Sequence, residues 1–272
     1  MSTARKPDAP PDPFRYGYRM TGRSGPDGAP DAARIPLTRR DLLHPKLGDK
    51  NVQLRGHCED TAYLMDVLAR RLVDRPDALV LYDVGVNLGV AGIKVVSPDI
   101  AVYFGPDPGP DVGIVRLGVE GMRPFLMLEV VSVPTRKNDH VTKRGYYFRA
   151  GVPHYVIVDV RHPKTGREVS IIGHRPGADA YEVVPNDEAG RHWIGEPLNL
   201  WLGVTNRRVI CYDGATGDPI LDSRALAASE AAAKARAASA EDEARAAIQA
   251  RDRAEAKLAD LEAELRRLRG GE

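Results

Sequence analysis

The pattern of apolar and polar positions divides the chain into three regions. Residues 1–35 are rich in Pro, Gly, Asp and Arg and have no apolar periodicity. Such a stretch cannot bury enough surface to offset its ordering entropy, so it predicts a disordered leader. Residues 36–222 alternate between helical and strand patterns and predict one folded domain. Residues 223–272 form a third region, dominated by Ala, Glu, Arg, Lys and Leu, which favours one long helix.

Within the second region, a helical repeat is followed by several β-type runs. Residues 57–75 predict an amphipathic helix that Pro76 closes, because apolar residues recur there at steps of three and four. The predicted strands are 79–84, 95–104, 124–131 and 152–160, with a glycine-rich bend at 85–92, a loop at 105–121 and a helix at 136–150. Shorter strands up to residue 212 predict a small antiparallel extension.

The run 124–131 is apolar almost throughout, which is typical of a central strand covered on both faces. A strand, a helix and a further buried strand predict an α/β unit. We therefore expect an α/β fold with a central mixed β-sheet flanked by helices.

The third region carries a leucine repeat near its end. Steps of three and four, as in a coiled-coil seam, separate the leucines Leu258, Leu261, Leu265 and Leu268. When the same register is continued towards the N-terminus, most of the core positions are alanine, and Arg251 is an exception. This pattern predicts a C-terminal coiled coil that joins copies of the chain into a homo-oligomer. A lone charged helix stabilised by pairs four residues apart is the alternative.

Charge, cysteine spacing and the length of apolar runs limit which classes of protein this chain can belong to. The chain has 39 basic and 38 acidic residues among 272, so a nucleic-acid surface must come from local clustering. Cys58 and Cys211 lack metal or redox spacing and are expected to be reduced thiols. No run has the roughly 20 apolar residues that a membrane span needs, so we expect a cytoplasmic protein with no membrane partner.

Two carboxylates and a lysine stand in an unusual context. Asp99 follows a proline inside a β-type run, and Glu129 lies in the most apolar strand. Buried carboxylates on adjacent strands repel each other unless a cation lies between them, and oxygen ligands favour Mg²⁺, with Mn²⁺ as an alternative. Lys143 on the next helix can assist an attacking water or neutralise a phosphate. Taken singly, Asp99 can be a strand-end cap, Glu129 a partner of Arg136 and Lys143 a surface lysine.

The order of these residues resembles the PD-(D/E)xK nuclease superfamily. More specifically, residues 128–132, 134–136 and 150–155, together with Asp139, Lys143, Tyr147 and Asp159, resemble the Uma-two family of restriction-endonuclease-like proteins. The resemblance covers roughly residues 38–235 and is most specific over 124–159. It departs from the superfamily pattern because no lysine stands two residues after Glu129. In proteins of the Uma-two type the lysine lies on the helix, where this chain has Lys143.

The resemblance implies a restriction-endonuclease-like core in which Asp99 and Glu129 are metal ligands and also catalytic, with Lys143. Further residues that it suggests as supporting are Ser132, Thr135, Tyr147, His57 and Glu59. Thr135 can equally be a helix N-cap, and His57 and Glu59 an ordinary helix start. His154 stands where the family often has Glu, which we expect to matter little.

A basic cluster follows the glutamate strand. Arg136, Lys137 and Arg144 are candidates for contact with nucleic acid, and a solvated helix face is the alternative. The function that we expect is a Mg²⁺-dependent endonuclease that hydrolyses DNA phosphodiester bonds. The alternative is a catalytically silent nuclease fold that binds nucleic acid, or a protein partner through its coiled-coil arm.

Overall fold

The computed structural model describes residues 13, 16–24, 30–38, 40–41, 49–51, 55–109, 112–118, 121–131 and 135–269. The chain separates into two units, Met1–Ile220 and Leu221–Glu272. In the first unit the described strands are β1 (Gly17–Ser24), β2 (Pro30–Pro36), β3 (Asp49–Asn51), β4 (Ala78–Tyr82), β5 (Gly85–Asn87), β6 (Ile100–Phe104), β7 (Ile114–Arg116), β8 (Arg123–Val131), β9 (His154–Arg161), β10 (Glu168–Pro176), β11 (Tyr181–Val184), β12 (His192–Ile194), β13 (Leu200–Thr205) and β14 (Arg208–Asp213). Its helical elements are α1 (Arg55–Arg71), a π-helical segment (Asn138–Lys143) and α2 (Arg144–Arg149).

A six-stranded mixed sheet forms the centre of this unit. Its strand order is β11-β10-β9-β8-β6-β4, so β8 lies in the interior of the sheet. Strands β8 and β9 are parallel, and the helical segment joins them. The other neighbouring pairs are antiparallel. The predicted α/β class and the central mixed sheet are therefore confirmed.

Side chains of β8 alternate between two apolar layers, as the two-residue period of a strand requires. Leu126, Leu128 and Val130 belong to the layer that contains the buried residues of α1. Met127 and Val131 belong to the opposite layer, which contains Tyr147 of α2 and residues of β5 and β7. Because both faces are covered, β8 needs apolar residues at nearly every position, and this explains its composition.

The structure differs from the sequence expectations at the N-terminal end. Strands β1 and β2 pair antiparallel, and Arg19 on β1 forms an ion pair with Asp49 at 2.5 Å. Residues 17–24 and 30–35 of the expected disordered leader over 1–35 thus lie in strands, while the domain bounds themselves stay a prediction. Amino-acid composition does not reveal whether a segment pairs with a neighbouring strand or forms a specific ion pair.

Two further differences concern short strands. The expected bend at 85–92 and loop at 105–121 contain β5 and β7, which pair in parallel. The expected antiparallel extension is real for β10 and β11, but β12, β13 and β14 form a separate three-stranded sheet. Strands β5, β7 and β12 have three residues each and are too short to show alternation, so the sequence carried little signal for them.

The second unit is one long helix, α3 (Ser223–Arg269), of 47 residues. Every side chain of this helix that the structure describes is exposed, including Leu258, Leu261 and Leu265 at 50–59%. The side chain of Leu268 lies outside the described part. The predicted long helix is thus confirmed, and its association with a second copy stays a prediction. No described helix combines the length and the apolar character that crossing a membrane requires.

Candidate active site

Two acidic residues stand next to each other where β6 and β8 meet. The two strands are antiparallel with Ile100 opposite Leu128, so Asp99 falls opposite Glu129 one position further along. Asp99 is two residues before Ala101, and Glu129 is two residues after Met127. Ala101 and Met127 both belong to the layer that contains Tyr147, so the two-residue period of a strand places both acids on that face of the sheet. The Asp99 carboxylate accepts a hydrogen bond from the Val130 amide at 2.7 Å, which fixes it against β8.

Glu129 is buried, with 2% of its surface exposed, and both of its oxygens are hydrogen-bonded. Lys143 donates to Oε2 at 2.8 Å, and the hydroxyl of Tyr147 donates to Oε1 at 2.8 Å. The lysine and the tyrosine are four residues apart on one helical face, so one helix supplies both donors. Each oxygen of the carboxylate therefore has its own donor, and the two donors together fix its orientation.

The backbone that carries Lys143 is π-helical from Asn138 to Lys143 and α-helical from Arg144 onwards. A π-helical turn inside a helix shifts the side chains that follow it and is frequent at functional sites. Lys143 Nζ also donates to the carbonyl of Ser97 at 3.1 Å and lies 3.2 Å from Oδ1 of Asp139. The ammonium group therefore contacts the segment that precedes Asp99, the glutamate and its own helix.

Asp139 is a site residue that the sequence reasoning left out of its candidates. It is 1% exposed, and its carbonyl accepts a hydrogen bond from the Tyr155 hydroxyl at 2.7 Å, which ties the helical segment to β9. The spacing of four residues from Lys143 was the available signal, because it places both on one face of a helix.

The electrostatics of the group follow from burial. Burial raises the pKa of Glu129 to about 8, although the charge of Lys143 opposes this rise. Burial acts to lower the pKa of Lys143, but the charges of Glu129, Asp139 and Asp99 outweigh it, so the pKa is raised overall. The lysine therefore keeps its proton at neutral pH and acts as a fixed positive charge.

His57 at the start of α1 is the histidine of this site. Its Nε2 lies 3.5 Å from Oδ1 of Asp99, beyond normal hydrogen-bond geometry but close enough for attraction between charges. Burial lowers the pKa of His57, yet Asp99 outweighs this and the pKa is raised. The imidazole thus lies against one oxygen of Asp99, while the Val130 amide binds the other.

Glu59, by contrast, does not reach this site. Its carboxylate forms ion pairs with Arg55 and with Arg208 on β14, both at 2.6 Å. Residues two apart on a helix point about 200° away from each other, so His57 and Glu59 cannot both face the same group. Of the two predicted helix-start candidates, only His57 lies beside Asp99.

The other supporting candidates lie at the beginning of the helical segment. Ser132 is outside the described residues. The carbonyl of Thr135 accepts hydrogen bonds from the amides of Asn138 at 2.8 Å and Asp139 at 3.1 Å. Thr135 therefore begins the helical segment through its backbone, and a contact of its hydroxyl with the site stays a prediction.

Of the three basic candidates, one forms an ion pair within the fold and two are exposed or partly exposed. Arg136 forms an ion pair with the buried Asp159 at 2.5 Å and donates to the carbonyl of Val160, so its charge is already matched within the fold. The alternative that Arg136 pairs with Glu129 is wrong. Lys137 is exposed and Arg144 partly exposed, which leaves these two as the candidates for contact with a phosphate backbone.

The donor set fits a hard divalent cation that keeps water ligands. Within the described part of the chain, no group of three or more His, Cys, Asp or Glu residues is arranged to hold a metal ion. Asp99 and Glu129 provide two carboxylates, and each ionised carboxylate has about four acceptor positions, of which few are used here. Mg²⁺ binds through one or two carboxylates with water and substrate oxygens completing its shell, which matches this set.

Comparison with known proteins gives a family and a solved structure. Residues 52–205, more than half of the chain, match the model of the Uma2 family, which is described as a putative restriction endonuclease. No curated protein is similar enough to match. A solved structure of a putative nuclease belonging to DUF820 from Anabaena variabilis ATCC 29413 is similar with 17% identity over 59% of this chain and 90% of that one, at a TM-score of 0.38. The match over 52–205 contains the acidic pair, the lysine and the helix-borne tyrosine described above, and the chain belongs to the Uma2 family of putative restriction endonucleases.

Proposed function

We propose that this protein is a Mg²⁺-dependent endonuclease that hydrolyses phosphodiester bonds in DNA. The observation that carries the proposal is the buried Glu129 carboxylate, bound by Lys143 and Tyr147 and opposite Asp99 on the neighbouring strand. A carboxylate in the core destabilises a fold unless it is matched, so its presence needs a reason beyond packing. Membership of a family of putative restriction endonucleases supports nuclease chemistry as that reason.

Asp99 and Glu129 would hold the metal ion, with Mn²⁺ as an alternative to Mg²⁺. A divalent ion bound there would polarise the scissile phosphate and lower the pKa of a water molecule. His57 and the Val130 amide fix the two oxygens of Asp99, and Tyr147 fixes one oxygen of Glu129. These contacts hold the ligand oxygens in place before substrate binds, which reduces the cost of reorganisation in the transition state.

Lys143 provides positive charge at the reacting phosphate. Its raised pKa keeps it protonated at neutral pH, so it is poorly suited to accept a proton from water. Instead, its ammonium group would stabilise the negative charge that develops on the phosphate and orient the attacking water. Removal of the charge by Lys143→Met should therefore reduce the rate of the chemical step more than it reduces DNA binding.

DNA is the proposed substrate because exposed positive charge lies on the segment that carries the site. Lys137 and Arg144 flank the π-helical segment and are exposed or partly exposed. Each lysine or arginine that neutralises a phosphate strengthens binding at low salt, and this contribution decreases as the salt concentration rises. Replacing both with alanine should weaken DNA binding roughly equally for all sequences and reduce its dependence on salt.

The test is cleavage of supercoiled and of single-stranded DNA with Mg²⁺ or Mn²⁺. Wild type is compared with Asp99→Ala, Glu129→Gln and Lys143→Met, and calorimetry measures metal binding to the same proteins. Glu168→Gln is the matched control for Glu129→Gln, because Glu168 is an exposed residue at the start of β10. We expect metal-dependent nicking in wild type and control, and a loss of at least 100-fold in the three site variants.

The outcomes separate the proposal from its alternative. Cleavage by wild type that persists in Asp99→Ala and Glu129→Gln would place the chemistry elsewhere and overturn the proposed site. Metal binding without cleavage of either DNA form would refute the enzymatic function and favour a silent nuclease fold that binds nucleic acid. Loss of activity in Glu168→Gln as well would point to unspecific damage to the fold.

A further inference from the structure

We propose that α3 forms a parallel, in-register, two-stranded coiled coil with a second copy of this chain. This inference does not depend on the proposed nuclease function, because it rests on the second unit alone. The helix is 47 residues long, and each of its described side chains is exposed. An isolated helix with an apolar stripe gains stability chiefly by burying that stripe against a partner.

The stripe follows a heptad repeat, in which core positions a and d alternate at steps of three and four. Taking Leu258 as an a position puts small or apolar residues at almost all core positions of the described helix from 237 to 265. These positions are Ala237, Ala240, Ala244, Ala247, Arg251, Ala254, Leu258, Leu261 and Leu265. Three leucines at the C-terminal end provide the larger buried area, and the alanines allow two helices to approach closely upstream.

Charges at the flanking positions indicate a parallel arrangement. In a parallel dimer, a g residue lies beside the e residue five positions later on the partner helix. Two such pairs are fully charged between 236 and 262, Arg236 with Glu241 and Lys257 with Glu262, and both join opposite charges. Residues five apart on one helix do not contact each other, so this complementarity serves the partner and not the helix itself.

An antiparallel arrangement would bring like charges together. It places e residues of one helix beside e residues of the other. The e positions from 241 to 262 are Glu241, Ile248, Glu255 and Glu262, three acids without a basic residue. Acidic side chains facing each other along the dimer would destabilise it, so the sequence selects against this orientation.

Arg251 at a core position favours two strands over three. A polar residue at an a position costs stability and specifies register and oligomeric state, since its end can reach water at the side of a two-stranded coil. Glu255, four residues later, lies 3.5 Å from the Arg251 guanidinium and partly compensates its charge. In a three-stranded core the same guanidinium would be enclosed, at a much greater cost.

The first experiment tests orientation and register by cross-linking the full-length chain. A cysteine at a d position faces its own counterpart only in a parallel, in-register dimer. In a Cys58→Ser background, which removes the exposed native thiol, Leu261→Cys should form a covalent dimer upon mild oxidation. Ala263→Cys, on the outer face of the same turn, is the matched control. Equal cross-linking of both variants, or none, would overturn the parallel register.

A second experiment tests the flanking charges by sedimentation equilibrium over a range of concentrations. Wild type should show a monomer–dimer equilibrium. Glu262→Lys should raise its dissociation constant roughly tenfold, because two attractive pairs per dimer become repulsive. Adding Lys257→Glu should restore wild-type affinity, and Asp242→Lys, the same change of charge on the outer face, should have little effect. A monomer at all concentrations, a trimer, or no restoration in the double variant would refute the proposal.

Discussion

Glu129→Gln should make the metal-free protein more stable, by an amount that depends on pH. Burial raises the pKa of Glu129 from its ordinary 4.5 to about 8 in the folded protein. A carboxyl group whose pKa is raised by folding contributes stability that is present below pH 4.5 and is lost as pH rises through 8. Glutamine has no ionisable proton, so it removes this loss. Its carbonyl oxygen can still accept a hydrogen bond from Lys143, and its NH2 group can donate to the hydroxyl oxygen of Tyr147.

The expected size follows from the two pKa values. One pKa unit corresponds to about 1.4 kcal/mol, so the penalty that Glu129 imposes grows to about 3 kcal/mol between pH 4.5 and pH 7. The free energy of unfolding of Glu129→Gln minus that of wild type should therefore increase by about that amount over this range. Mg²⁺ should reduce the difference at pH 7, because the proposed metal binding stabilises the ionised wild-type carboxylate.

The assay is urea denaturation followed by far-UV circular dichroism at pH 4.5, 5.5, 6.5 and 7, with EDTA present. Glu59→Gln serves as the control: the hydrogen bond from Arg55 lowers the pKa of Glu59 below 4.5. Its contribution to stability is therefore already complete above pH 4.5, and the difference between Glu59→Gln and wild type should stay nearly constant over this range. A difference between Glu129→Gln and wild type that stays constant across this range would refute the reasoning. It would mean that pairing with Lys143 keeps Glu129 ionised in the fold despite its burial.

Three further predictions concern stability away from the acidic pair. Burial lowers the pKa of His192 to about 4. A histidine with a lowered pKa reduces the stability of the fold as pH falls from 6.5 to 4, by up to about 3 kcal/mol. His192→Leu should therefore make the free energy of unfolding decline less over this range, as measured by acid denaturation. Gly173→Ala should destabilise the fold by about 2 kcal/mol or more in urea denaturation, because the added Cβ would lie 1.9 Å from the His192 ring. Gly145→Ala is the contrasting variant. Gly145 lies on the site helix with open space around it, so this change should stabilise the fold by about 0.5–1 kcal/mol. Asp60→Asn should cost about 3–5 kcal/mol in the same assay, because Asp60 is buried and Arg208 Nε lies 2.5 Å from it; a loss under 1 kcal/mol would show that this ion pair contributes little.

Strong periodicity made the centre of the fold predictable. The run that became β8 is apolar at almost every position, and only an interior strand covered on both faces requires that. The acidic pair was predictable for the same reason, since Glu129 interrupts the apolar run. The β5–β7 pair was missed because two three-residue strands, far apart in sequence, contain no alternation that a local pattern could reveal.

Side-chain direction is the part of the site that the sequence could not determine. His57 and Glu59 were equal candidates in the sequence, and only the rotation of α1 against β6 decides that His57 meets Asp99. Arg136 looked like a DNA contact because its charge partner, Asp159, lies 23 residues further along the chain. Contacts of this kind depend on the packing of distant elements, which local sequence does not encode.

The balance of buried charge distinguishes the site from the structural ion pairs of the same core. Asp60 and Asp159, both buried, each face two arginines, so basic partners outnumber each carboxylate. Glu129 and Asp139 share the single ammonium group of Lys143, which leaves acid in excess before the neighbouring Asp99 is counted. A fold selected for stability alone would not keep this excess, since apolar residues of similar volume are often as stable or more stable. In the metal-free fold a proton on Glu129, whose pKa is raised to about 8, offsets this excess near neutral pH, and we propose that a divalent cation takes the place of that proton.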